Sequence, residues 1–323
     1  MSMFKYVIKR LLLMFFTFLI IATICFIMVR MLPRTLPQGS TASQQKAILD
    51  RWEALGYNKP LLVQLGIYMK GIVTSWDFGT SWYIDRMTPA WEVLTSRLLP
   101  TVLVNTYSLL FSIPLGLMFG IYAAIKKNKW QDHVISTMVM LFVSVPSYVY
   151  AFLVQYLLYY KLGFGKPIVS ALADADNSWF SAKMFYSMIL PILALSFGEI
   201  ASLCRFARAE LTETLTSDYM LLARTKGLTR GQATTRHALR NAMVPILPSI
   251  ISSFIAILGG SMIIEQIFSI PGVGKLYVTS ISLLDYDVFM MDSIFYTFIG
   301  LLAGIVVDLS YGFIDPRIRM GEK

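Results

Sequence analysis

Side chains that carry most enzyme chemistry are sparse in this chain. His133 and His237 are its two histidines, and Cys25 and Cys204 its two cysteines. No His-Glu-x-x-His or Gly-x-Ser-x-Gly pattern occurs, so neither a zinc peptidase helix nor a nucleophile elbow is encoded. The cysteines lie far apart, in or beside apolar runs, which predicts small buried apolar residues rather than a disulfide framework or a metal site. Ser-Ile-Pro-Gly-Val-Gly-Lys-Leu at 269–276 approaches a phosphate loop. That motif needs glycine where Ser269 stands and a hydroxyl where Leu276 stands, so Pro271, Gly272 and Gly274 are read as a tight turn instead. Glu199 and Asp308 fall near the ends of apolar runs. A proton relay would place such acids near a membrane's middle, so both are read as interfacial or snorkelling groups. Asp50, Glu53, Asp77, Asp85 and Glu92 are scattered through 32–97, without the clustering of a catalytic site.

What remains is cationic. The connection 205–241 holds seven basic residues: Arg205, Arg208, Arg224, Lys226, Arg230, Arg236 and Arg240. The chain is 56% hydrophobic and 15% charged, with net charge +9. Soluble domains carry about 25% charged residues, so this chain lacks the charge to cover a water-facing surface and must take the bilayer as its main solvent. On such a chain a basic excess marks cytoplasmic loops, and nucleic-acid binding is not expected.

Those loops need helices to hold them. Six apolar stretches are long enough to cross a bilayer, near 11–31, 101–125, 134–160, 184–204, 242–264 and 293–314. The first follows a basic N-terminus, as a secretory signal would. Its 19 uncharged residues, Leu11–Val29, exceed a usual signal core and no small-x-small site follows, so it is read as a retained membrane helix. The connection 265–292 has one basic residue, Lys275, against Glu265, Asp285, Asp287 and Asp292. The positive-inside rule puts 205–241 in the cytoplasm and 265–292 outside. Counting back, 126–133 with Lys126, Lys127 and Lys129 is cytoplasmic, and so are both termini, with Lys5, Lys9, Arg10, Arg317 and Arg319. Outside fall 32–97, expected to hold short helices on the bilayer face with Trp52, Trp76, Trp82 and Trp91 at that level, and 161–183, broken by Gly163, Gly165 and Pro167. Pro114, Gly116 and Pro146 interrupt the second and third spans. They fit either a kinked translocation path or packing through small residues.

The connection 205–241 is itself patterned. Thr216, Ser217 and Asp218 offer capping oxygens, Tyr219 to Lys226 reads as about two helical turns, and Gly227 stops it. Thr229-Arg230-Gly231-Gln232 fits a capping box that starts a second helix, running to about Asn241 before Pro245 opens the next span. Tyr219, Met220, Leu222 and Ala223 give the short helix an apolar stripe. So short a helix cannot stand alone in water. It is a plain basic surface loop, an interfacial helix on lipid, or a docking helix for a cytoplasmic partner.

Here the chain resembles a known family. DYMLLARTKGL…RHALRNAMVP is similar to the coupling loop of binding-protein-dependent ABC importers, in the oligopeptide and dipeptide permease branch, as its first (B-type) permease subunit. Asp218, Tyr219, Ala223, Arg224, Lys226, Gly227, His237, Arg240, Asn241 and Pro245 fall on that motif. LGYNKPLLVQ, DFGTSW, RLLPTVLVNTYSLLFSIPLGLMFGIYAAIKK, SVPSYVYAFLV, IIEQIFSIPGVGKLYV and DPRIR resemble further segments of the family in the same order. One departure is Pro33-Arg34-Thr35-Leu36-Pro37, where the family often has Pro-Gly-Asp-Pro.

The resemblance implies an all-α integral membrane protein with six transmembrane helices and the type I importer architecture. Residues 1–97 would form the first helix and external segment, 98–316 the five-helix core with the coupling loop 205–245, and 317–323 a cytoplasmic tail. It implies a non-catalytic oligopeptide permease subunit in a prokaryotic cell membrane. Its partners would be a second homologous permease subunit, two ATP-binding subunits that hold ATP and magnesium, and an external substrate-binding protein, amid membrane lipid. Dipeptides, nickel chelates or another small solute are alternative cargoes, and a self-contained channel or ion-coupled carrier is the alternative of another class. Asn105, Ser108, Ser144, Ser252 and Ser253 are polar positions in the spans that could line a peptide path.

Overall fold

A computed structural model describes residues 3–33, 36, 41–169 and 178–314. The tail 317–323 with Arg317 and Arg319, the DPRIR segment, Arg34, Thr35 and Pro37 of the first turn, and 170–177 of the third connection lie outside the described residues.

The described chain is helical: α1 (Met3–Arg30), α2 (Ala42–Ala54), α3 (Leu61–Ser75), α4 (Ala90–Ile125), α5 (Trp130–Ser144), α6 (Ser147–Val154), α7 (Ala182–Leu215), α8 (Asp218–Thr225), α9 (Arg230–Ala233), α10 (Leu239–Ala256), α11 (Met262–Ile267), α12 (Val273–Ser282) and α13 (Tyr286–Ile314). Five helical stretches are long and apolar enough to cross a membrane: Lys5–Arg30, Ala90–Ile125, Ala182–Leu215, Arg230–Ile267 and Tyr286–Ser310. Leu11, Phe15, Phe16 and Ile20 on α1 are exposed, as residues that meet lipid chains must be.

The expected third span is not one rod. Trp130–Ser144 and Ser147–Lys161 meet at a bend of 102° and make a sixth span only if counted together. The cause is Pro146. It holds Val145 in extended conformation (φ −89°, ψ 128°) and has no N–H for the Phe142 carbonyl. That carbonyl finds another donor, the Tyr150 hydroxyl, at 2.5 Å. The second helix also begins earlier than expected, at Ala90, so the boundary drawn at 97/98 falls inside α4.

α4 and α7 form the central pair. Gly116 and Gly120, four residues apart, face α7. A Cβ at Gly120 would lie 2.7 Å from the Cys204 carbonyl oxygen and 2.8 Å from Ala207 Cβ, and one at Gly116 would lie 3.0 Å from Leu203 Cβ. Where lipid replaces water, close backbone approach through small residues is what draws helices together. Free Cys204 is buried at this seam, and free Cys25 is half-buried on α1.

One end of the bundle gathers the segments 76–90, 260–275 and 283–292. Ser81 Oγ donates to Asp285 at 2.7 Å, and the backbone N–H groups of Trp82, Tyr83 and Ile84 donate to the same carboxylate at 3.0–3.4 Å. The N–H of Thr80 donates to Asp287 at 3.2 Å. Trp82 is therefore buried in protein and does not anchor at a bilayer surface. Trp76 is exposed and packs edge-on against Phe78 and Trp91. Nearby, buried Glu265 accepts from Thr101 Oγ1 and from the Lys275 N–H, both at 2.9 Å. Gly260 and Gly272 leave room for it, since a Cβ at either would lie 2.3–2.4 Å from a Glu265 oxygen. Gly272, one of the glycines that suggested a phosphate loop, thus makes way for a carboxylate of the same chain.

The opposite end holds the start of α5, the end of α7 and α8. Asp308 is joined there to Arg10 at 3.1 Å, so the interfacial acid of α13 fastens α1.

Candidate functional site

The short helix α8 leaves α7 through a two-residue corner, Thr216-Ser217. Ser217 is its N-cap residue by conformation, but its hydroxyl donates backwards to the Thr214 carbonyl at 2.6 Å rather than capping α8. The helix ends as expected. Gly227 has φ +90°. Its N–H donates to the Arg224 carbonyl at 3.0 Å and that of Leu228 to the Ala223 carbonyl at 3.3 Å. These are the two bonds of a Schellman motif, which needs a left-handed residue where Gly227 stands. Leu228 then packs beside Ala223.

The capping box is formed. Gln232 N–H donates to Thr229 Oγ1 at 3.3 Å, and Thr229 N–H to Gln232 Oε1 at 3.0 Å. The second helix differs from expectation. It does not stop near Asn241 for Pro245 to open a new one. It continues through a π-helical stretch, Thr234–Ala238, into α10, with Pro245 and Pro248 inside. Ala233, Ala238 and Ala242 lie buried on Leu211 and Ala124 and hold this helix down through its first turns. A membrane helix tolerates the one bond that Pro245 removes.

The apolar stripe of α8 is divided between two faces. Met220 and Ala223 are buried against Leu211, Ala124 and Ala238. Tyr219, Leu221 and Leu222 point away, 37%, 65% and 56% exposed. Asp218, Arg224, Lys226 and Gly227 on or beside α8 are exposed, as are His237, Arg240 and Asn241 further along, while Pro245 is half-buried in α10. The chain therefore packs one side of α8 itself and leaves an apolar face with charges at the helix ends, Asp218 at the start and Arg224 and Lys226 at the finish. Leu221 is the member the sequence stripe missed, because on so short a helix the exposed face is set by how its ends are tied rather than by periodicity.

The structure does not bring the five polar span positions together. Ser108 is buried between α4 and α7, 3.2 Å from Ser196 Oγ. Asn105 donates to the Thr101 carbonyl at 2.8 Å. Ser144 is exposed at the last position of α5, and Ser252 is half-buried on α10. Ser253 lines an open cavity of about 530 Å³ between α4, α7 and α10, together with Ser112, Glu199, Ser202, Arg205 and Ser249. The spacing of Glu199, Ser202 and Phe206 on one helix face was the available signal for this surface.

Comparison with known proteins identifies the architecture. Residues 116–320 match the family model "Binding-protein-dependent transport system inner membrane component", and residues 3–114 match the model of the N-terminal part of such membrane components. The chain is 36% identical to the dipeptide transport system permease protein DppB of Lactococcus lactis, over 98% of this chain and 100% of that protein. It is 34% identical to the glutathione transport system permease protein GsiC of Salmonella choleraesuis, over 98% and 99%. It is 32% identical to the DppB protein of Bacillus subtilis, over 99% of both. With both of its parts matched and its length covered end to end, the chain belongs to the family of binding-protein-dependent transport system inner membrane components, in the oligopeptide and dipeptide ABC permease group.

Proposed function

We propose that this chain is the first permease subunit of an ATP-driven importer of short peptides and that α8 is the element on which an ATPase subunit pulls. The observation that carries this is the division of α8, with Met220 and Ala223 tied into the chain and Tyr219, Leu221 and Leu222 left exposed at its tip. A helix held on one side and apolar on the other can transmit a push from a partner's groove to α7 and α10. Arg224 and Lys226 at its C-terminal end offset the helix dipole, and Arg224 can also pair with acids of the ATPase.

In this reading the basic end of the bundle and both termini face the cytoplasm of a prokaryotic cell. The 76–90 and 283–292 segments face the external binding protein. A second, homologous permease subunit completes the translocation path, and two ATPase subunits hold the ATP and magnesium. ATP binding closes the ATPases, carries α8 with them and turns the cavity outward; hydrolysis resets it. The names of the dipeptide and glutathione relatives favour short peptides as cargo over nickel chelates. The test is reconstitution. The chain with its second permease, its ATPases and its binding protein should drive ATP-dependent peptide uptake into liposomes, and the chain alone should drive none. Uptake by the chain alone would instead establish a channel or carrier.

A further inference from the structure

The cavity between α4, α7 and α10 holds two opposite charges, Glu199 and Arg205, both on α7. Among the described residues neither makes an ion pair or a hydrogen bond, with the other or with any third group. This contrasts with Arg208, one turn beyond Arg205, whose guanidinium is taken up by Asp132. Both side chains are exposed to the cavity. The remaining polar lining is neutral, from Ser112, Ser202, Ser249 and Ser253. Three of these hydroxyls already donate to main-chain carbonyls of their own helices, which leaves their lone pairs for a ligand's N–H groups.

We infer that this cavity recognises a zwitterionic short peptide, with Glu199 facing the α-amino group and Arg205 the terminal carboxylate. The inference rests on the peptide-importer reading above and adds the means of recognition. Six residues of helix separate the two positions by about 9 Å along the axis. An extended peptide advances about 3.3–3.6 Å per residue, so that separation suits two to three residues. A simple anion would leave Glu199 without a counter-charge and a simple cation would leave Arg205 without one, whereas a zwitterion meets both. Arginine is suited to a carboxylate because its planar fork can meet both oxygens at once.

The test uses the assembled complex in liposomes with its binding protein, internal ATP and a mixture of unmodified di- and tripeptides, with uptake read by mass spectrometry. Co-purification of the subunits is confirmed for each variant first. Glu199→Arg and Arg205→Glu each leave two like charges in the cavity and should each lower uptake about tenfold or more. Glu199→Gln and Arg205→Gln should fall between these and the wild type. The double exchange, Glu199→Arg with Arg205→Glu, restores one charge of each sign. It should recover most of the uptake, because a zwitterion can bind the other way round. A purely structural role predicts no such rescue, since the two groups do not touch. Single variants within about twofold of wild type, or a double exchange no better than the singles, would overturn the inference. Absence of peptide uptake by the wild-type complex would overturn the peptide reading itself, and this outcome shows before any substitution is made.

Discussion

Arg208 grips Asp132 with two parallel hydrogen bonds, Nε to Oδ1 at 2.5 Å and the terminal nitrogen to Oδ2 at 2.8 Å. The pair joins α7 to the first turn of α5 across 76 positions of sequence. Asp132 is buried and also accepts from the Asn128 N–H at 2.9 Å and from the Ser136 hydroxyl at 3.3 Å. The same carboxylate thus shapes the turn after α4, starts α5 and fixes α7 directly upstream of α8.

Removing one partner should cost more than removing both. Arg208→Ala leaves a buried carboxylate without its cation, and breaking such a pair costs about 3 kcal/mol or more. The expected outcome is a lower melting temperature and a poor yield of assembled complex in detergent. Replacing both residues by apolar ones of similar size should be milder than Arg208→Ala alone. Equal melting temperatures for wild type and Arg208→Ala would show that the pair contributes nothing.

The two faces of α8 should respond differently. Leu221→Asp and Leu222→Asp alter side chains that are mostly exposed. They should leave the chain's stability within about 0.5 kcal/mol while abolishing co-purification of the ATPase subunits. Met220→Asp puts a charge into the buried cluster around Leu211 and Ala238, and should destabilise the loop itself, read as faster proteolysis between 216 and 230. If Leu222→Asp retained full ATPase binding, the exposed tip would not be the docking surface.

Gly227 tests the turn rather than the surface. Nothing lies within 4 Å of a Cβ placed there, yet its φ is +90°. A substitution therefore meets no clash, only backbone strain. Gly227→Val should cost about 1–3 kcal/mol locally, and Gly227→Asn less, because asparagine tolerates left-handed conformations best. ATP-driven uptake should fall in the order Gly227, Asn, Val while the complex still assembles. Normal uptake by the valine variant would remove Gly227 from the coupling mechanism.

Local signals in the sequence were accurate for the turn and the second helix start but not for the cap of α8, where the Ser217 hydroxyl bonds back to Thr214. The Gly227 stop and the Thr229–Gln232 capping box depend on neighbours within four residues, and both formed. Hydropathy located the apolar runs for the same reason. It could not show that Pro146 folds the third run back by 102°, because a proline within an apolar run reads the same whether the helix kinks or turns. It could not separate Pro146 from Pro245 either. The first breaks its helix and the second does not, a difference set by Tyr150 in one case and by the alanine contacts of α9 and α10 in the other. Ser108 and Ser253 are alike as sequence, yet one is buried in a helix seam and the other lines the cavity. Only the packing of α4, α7 and α10 on one another decides between them.

Asp285 predicts the behaviour of the opposite end. Its buried carboxylate collects one hydroxyl and three backbone N–H groups from 81–84. Asp285→Ala leaves those donors unpaired, at about 1–3 kcal/mol for a buried group. Amide exchange over 79–88 should speed up, with α8 unaffected. Unchanged protection of that segment would mean that its other contacts hold it, among them Thr80 with Asp287, Asp85 with Arg97 and the Ser81–Thr88 backbone bond.

The final prediction concerns the α4–α7 seam, which under the proposed function carries motion from α8 to the cavity. Gly120 approaches the backbone of α7 too closely for any side chain, with the Cys204 carbonyl oxygen 2.7 Å from where a Cβ would sit. Backbone atoms cannot swing aside as a flexible side chain can. Gly120→Ala should therefore force the helices apart, and Gly120→Leu more so, at about 1–3 kcal/mol for overpacking a tight interface. Gly198, on the same helix as Cys204 but with open space around its Cβ position, is the matched control. Gly198→Ala should be neutral or slightly stabilising, because alanine favours helix over glycine by up to about 1 kcal/mol. The comparison is read as melting temperature and uptake for the two variants side by side. A Gly120→Ala protein as stable as the Gly198→Ala protein would mean that the α4–α7 seam yields easily, and that it cannot act as the stiff link between the short helix and the cavity.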